Sequence, residues 1–78
     1  MGVLAMATQI VMDHTGDTRH HFDAEDIKAV AAAERRFKEL MFAGFTAAFR
    51  TPSGATMVTR TFDPTAEETV FYPRLVGG

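Results

Sequence analysis

Histidine is the first residue type in this chain that invites chemistry. His14, His20 and His21 fall close together, beside Asp13 and Asp17. Two imidazoles and a carboxylate are a zinc ligand set. However, His20 and His21 are neighbours on a stretch that reads as a strand, so they point to opposite faces and cannot serve one ion. The spacing matches no metal-binding pattern, and no metal site is expected. Nucleophilic catalysis is equally poorly served. There is no cysteine, and Ser53 is the only serine; it lies in a Pro-Ser-Gly turn rather than at a strand-to-helix elbow. Glu67 and Glu68 are adjacent on a turn, not a converging pair. No glycine-rich loop is present to cradle phosphate. The expectation is a domain with no catalytic residue and no cofactor.

The chemistry that remains lies at the end of the chain, Arg74-Leu75-Val76-Gly77-Gly78, after Pro73. Glycine costs conformational entropy on ordering and packs nothing. A terminal Gly-Gly therefore suits a carboxylate that threads a narrow channel. Arg74 offers a guanidinium fork for a partner's carboxylate, and Leu75 and Val76 can be gripped as an extended strand.

Other elements must hold that tail. The 78 residues, with a net charge of −2, make one small domain. Mixed charge argues against nucleic acid, which draws a basic stripe. The apolar runs are far short of a membrane span. The absence of cysteine fits a cytoplasmic location. Residues 1–7 read as a flexible extension, 8–72 as one domain and 73–78 as a flexible tail.

Residues 8–14 and 18–22 alternate as two strands around the Thr15-Gly16-Asp17 turn, with His20 and Phe22 on one face. Asp23 reads as a helix N-cap, with Glu25 and Asp26 in the first turn. The helix spans 24–42. Its apolar stripe is Ile27, Val30, Ala33, Phe37, Leu40 and Met41, Glu34 and Lys38 form an i,i+4 pair, and Gly44 terminates it. Phe42 falls beside the stripe and is expected to be partly exposed, as a partner surface. Residues 45–50 and 55–62 read as two further strands around a Pro52-Ser53-Gly54 turn. Asp63 caps one helical turn at 65–69, and 70–72 form a short fifth strand that Pro73 keeps from the sheet centre. The Phe22-Asp23 and Phe62-Asp63 segments echo one another.

The order β-β-α-β-β, with an optional final strand, is a two-layer α+β fold with one long helix on a four- or five-stranded sheet. A β-grasp-like arrangement satisfies it, as does an antiparallel sheet with a helix laid across it.

Arg74-Leu75-Val76-Gly77-Gly78 resembles the Arg-Leu-Arg-Gly-Gly ending of the ubiquitin-like family, with Val76 in place of an arginine. Gln9-Ile10-Val11 and Thr15-Gly16-Asp17-Thr18 are similar to that family's first hairpin. Leu40-Met41-Phe42-Ala43-Gly44 resembles its Leu-Ile-Phe-Ala-Gly, although those residues form a strand in the family and the helical pattern runs through them here. The resemblance implies a β-grasp modifier whose Gly78 carboxylate is adenylated by an ATP-dependent activating enzyme. The acyl group then passes to a thiol and on to acceptor proteins or to sulfur. It implies that the activating enzyme reads Arg74. Lys28 and Lys38 are the only internal acceptor lysines, both on the helix. The rival expectation is a non-catalytic interaction or structural module, a homodimer among its forms, with an incidental tail.

Overall fold

The computed structural model describes residues 6–51 and 53–73. Its elements run β1 (Met6–Asp13), β2 (Gly16–Asp23), α1 (Ile27–Phe42), β3 (Phe45–Arg50), β4 (Thr56–Thr59) and β5 (Glu68–Pro73). The fold is α+β, with a five-stranded sheet in the order β2-β1-β5-β3-β4. β1 and β5 pair in parallel; every other pair is antiparallel. The arrangement is β-grasp-like.

Strand alternation assigns the two faces. Ala7, Gln9 and Val11 of β1 point to the helix, as do Phe22 of β2, Ala47 of β3 and Phe71 of β5. Ala33 and Phe37 are the fully buried part of the helical stripe, while Val30, Leu40 and Met41 are half-buried against the core. Ile27 is the exception to the expected stripe: it is the first residue of α1 and is 85% exposed.

The helix starts later than its acids suggested. Asp26, not Asp23, is the N-cap, accepting from the amides of Lys28 (3.0 Å) and Ala29 (3.3 Å). Asp23 is still paired in β2, opposite Met6, and its carboxylate accepts from the Glu25 amide instead. Glu25 and Asp26 therefore precede the first turn. At the other end Gly44, at φ +97°, donates its amide to the Met41 carbonyl, closing the helix as expected.

Three expectations in the second half are corrected. β4 stops at Thr59, because Phe62 leaves the sheet to pack on Phe22 and Phe37. No helical turn forms at 65–69; Asp63 accepts from both the amide and the hydroxyl of Thr65, and Glu68 and Thr69 already belong to β5. β5 is central, lying between β1 and β3 despite Pro73. Proline removes one donor from a ladder, and Pro73 is the last residue of the strand, opposite Phe45, where the interior bonds of β5 are untouched.

Candidate functional site

Arg74, Leu75, Val76, Gly77 and Gly78, the residues expected to form a conjugation tail, lie outside the described residues. What is described is their root. β5 carries the chain through the middle of the sheet to Pro73, and Pro73 pairs with Phe45 at the start of β3. Phe45 follows the end of α1 by only the Ala43-Gly44 turn, so the helix C-terminus and the root of the tail share one end of the domain. Phe42 stands there, 96% exposed.

The face of the sheet away from the helix is the second feature. Its central row crosses every strand: Val58 pairs with Ala48, Ala48 with Val70, Val70 with Ile10, and Ile10 with Arg19. Ile10 and Ala48 are buried, Val70 is half-buried, and Val58 is exposed at the β4 edge. Met12 and Tyr72, both exposed, extend the apolar surface toward the Pro73 end. The row toward the opposite end is polar. Thr8 and His21 share a hydrogen bond of 3.0 Å, and Arg50 pairs with Glu68 at 3.6 Å. Sequence pattern alone marks Ile10 and Met12 as one face; the strand order is what gathers Ala48, Val58, Val70 and Tyr72 around them.

The histidines divide as strand geometry demands. His21 faces Thr8 on the open side, whereas His20, opposite Gln9, faces the helix. Burial lowers the His20 pKa below its usual 6.5, and the charge of Arg36 pushes it the same way. Arg36 itself donates to Oε1 of Gln9 at 2.7 Å, while Gln9 Nε2 donates to the Ala33 carbonyl at 3.0 Å. His14 sits in the β1–β2 turn. Among the described residues no group of three or more histidine, aspartate or glutamate side chains is placed to hold a metal.

The remaining polar residues serve local structure. Asp13 accepts from the hydroxyl and amide of Thr15, which hold its carboxyl below the usual range; Asp63 is lowered in the same way by Thr65. Ser53 shares a hydrogen bond with Thr51 in the β3–β4 turn. Glu68 pairs with Arg50, and the backbone carbonyl of Glu67 accepts from the Thr8 amide. A cleft of about 620 Å³ lies by these residues, lined in part by Phe49, Arg50, Asp63 and Glu68, at the end of the sheet opposite Pro73. Both lysines are exposed on α1, with Lys38 3.7 Å from Glu34.

The chain matches no family model, no curated protein and no solved structure.

Proposed function

We propose that this is a small ubiquitin-like protein whose Gly78 carboxylate is activated for conjugation or sulfur transfer. The observation that carries the reading is the course of β5. The central strand of a β-grasp-like sheet ends at Pro73, directly before Arg74-Leu75-Val76-Gly77-Gly78. Gly78 follows the last residue of the central strand by five positions, a short tether to a folded domain that suits delivery of a carboxylate into a partner.

A free carboxylate is a poor acyl donor. In the proposed sequence a Gly78 oxygen attacks the α-phosphorus of ATP and pyrophosphate leaves. A thiolate of the activating enzyme then attacks the acyl carbon and AMP leaves. An acceptor amine displaces the thiol to form an amide, or sulfide attacks the acyl carbon of the adenylate and AMP leaves, giving a thiocarboxylate. The domain is the acyl donor in each step and catalyses none. Arg74 is the residue an activating enzyme would read, through a carboxylate of its own.

Trypsin digestion of cells expressing the protein, followed by mass spectrometry, tests this. Cleavage after Arg74 leaves Leu-Val-Gly-Gly on acceptor lysines, or a thiocarboxylate on the free peptide. Absence of remnant, adenylate and thiocarboxylate, together with no effect of deleting Gly78, sinks the reading.

A second reading is favoured by the face away from the helix. Exposed Met12, Val58 and Tyr72 surround the Ile10–Val70–Ala48 row, which suits a non-catalytic binding module. On that reading Val58→Asp abolishes partner binding and deletion of residues 74–78 leaves it intact.

A further inference from the structure

The two edges of the sheet are guarded differently. β2, at one edge, carries Asp17, Arg19, His20, His21 and Asp23. Charged side chains on an edge strand are a barrier to pairing with another chain. β4, at the other edge, reads Thr56-Met57-Val58-Thr59 and carries no charge. Its inner side pairs with β3, and among the described residues no strand pairs with its outer side. Met57 and Val58 are both exposed, Val58 to 65%.

The face away from the helix says what completes this edge. The apolar row Ile10–Val70–Ala48–Val58 crosses the sheet and ends in the open at β4. A foreign peptide strand would satisfy the β4 backbone but leave the row ended there. A second copy brings the same row with it. When two identical edges pair antiparallel, their two-fold axis stands perpendicular to the sheet, and residues directly opposite share a face. Even-numbered positions of β4 then oppose even-numbered ones. With Val58 opposite Val58 of the second copy, Met57 meets Thr59 and Thr56 meets Arg60, so no charge faces a like charge. Sliding the register to the next such alignment sets Val58 against Thr56 or against Arg60. Only the Val58 register joins the two apolar rows end to end.

We propose that β4 is a self-association edge, through which two copies of this chain pair antiparallel about Val58. The two five-stranded sheets become one, with both helices on the same face. The inference supplies a partner for the binding-module reading and does not depend on the chemistry of Gly78. Four residues a side make a small interface, below the about 1,200 Å² of stable complexes. The dimer is therefore weak, forming at protein concentrations on the order of 1 mM.

Sedimentation equilibrium of the full chain provides the test, with the 8.6 kDa monomer expected to give way to a dimer as concentration rises. In a mixture of ¹³C-labelled and unlabelled protein, a filtered NOE is expected between the Val58 methyl groups of the two copies, since opposed Cβ atoms lie about 4.5–5.5 Å apart. Val58→Lys sets like charges against each other at the two-fold axis and is expected to weaken association about tenfold or more. Thr18→Lys, on the β2 edge, is expected to leave association unchanged. Thermal melting confirms that both variants fold. A protein that stays monomeric to the order of 1 mM refutes the self-pairing. The binding-module reading then survives if another ligand binds wild-type protein and is lost with Val58→Asp. A dimer that resists Val58→Lys, or one that Thr18→Lys disrupts, refutes the β4 edge. If β4 amides shift only when an added peptide binds, the edge takes a foreign strand and self-pairing is refuted.

Discussion

Arg36 on the helix donates to Oε1 of Gln9 on β1 across 2.7 Å, and Gln9 is only 1% exposed. The amide's other end donates to the Ala33 carbonyl, so one buried side chain ties the central parallel pair to the middle of the helix. A buried amide left without partners is costly, and a bond to a charged group contributes more than a neutral one. Gln9→Ala removes both bonds and leaves a void, for a loss of about 2–3 kcal/mol. Gln9→Met fills the volume without the bonds and is expected to lose about 1–2 kcal/mol. Urea unfolding checks both: the midpoint falls in that order while the m-value holds.

His20 should make stability pH-dependent on the acid side. Burial, then the charge of Arg36, lowers its folded pKa from 6.5. A lowered pKa in a base means that the unfolded chain binds the proton more readily. The contribution of His20 is therefore fully present above about pH 6.5. It starts to be lost as pH falls below that value and is gone once pH has passed through the lowered folded pKa. Asp13 and Asp63, also lowered, lose their contributions further down, as pH falls below the carboxylate range. His20→Gln is expected to flatten the urea midpoint in the range just below pH 6.5 and to leave the more acid limb in place. Proton NMR of the His20 ring should show a midpoint below 6.5; a midpoint at or above 6.5 contradicts the account.

The first half of the fold was legible because its signals are local. Alternation in Gln9-Ile10-Val11, a glycine turn at Gly16 and the three- and four-residue spacing of Ala33, Phe37 and Leu40 each specify an element without help from elsewhere. The second half depends on partners distant in sequence. Pro73 reads as an edge signal, yet β5 is drawn to the centre because Phe71 is buried on the helix face and Val70 half-buried on the other, between β1 and β3. Phe62 looks like the last residue of a strand, yet its ring is needed at 6.3 Å from Phe22 and 5.8 Å from Phe37. The Phe-Asp echo has a physical counterpart: each phenylalanine packs inward and each aspartate accepts from the amide two residues on. The apolar row from Val58 to Ile10 was not legible, since no spacing within one strand encodes strand order.

Phe71 is fully buried, and its ring lies 5.5 Å from Phe37 in an edge-on pair. Phe71→Ala is expected to cost about 3–5 kcal/mol, against a total stability on the order of 5 kcal/mol for so small a domain. The variant should be largely unfolded at 37 °C by circular dichroism. Phe62 is half-buried and touches the same cluster from a loop. Phe62→Ala should cost less, about 2–3 kcal/mol, and remain folded at 25 °C. A larger loss at Phe62 than at Phe71 would show that the loop, not β5, organises the core.

Asp23, Glu25 and Asp26 all precede the helix, and only one of them caps it. The Asp26 carboxylate accepts from the amides of Lys28 and Ala29, two groups that the helix leaves without internal partners. Asp23 serves the turn before it, accepting from the Glu25 amide. Asp26→Ala is therefore expected to cost about 1 kcal/mol, the usual value of an N-cap. Asp26→Asn, which keeps an acceptor oxygen, should recover most of that loss. Asp23→Ala removes one exposed turn bond and should cost about half as much or less. Thermal melting of the three variants at pH 7 orders them; a reversed order of the two alanine variants would return the start of the helix to Asp23.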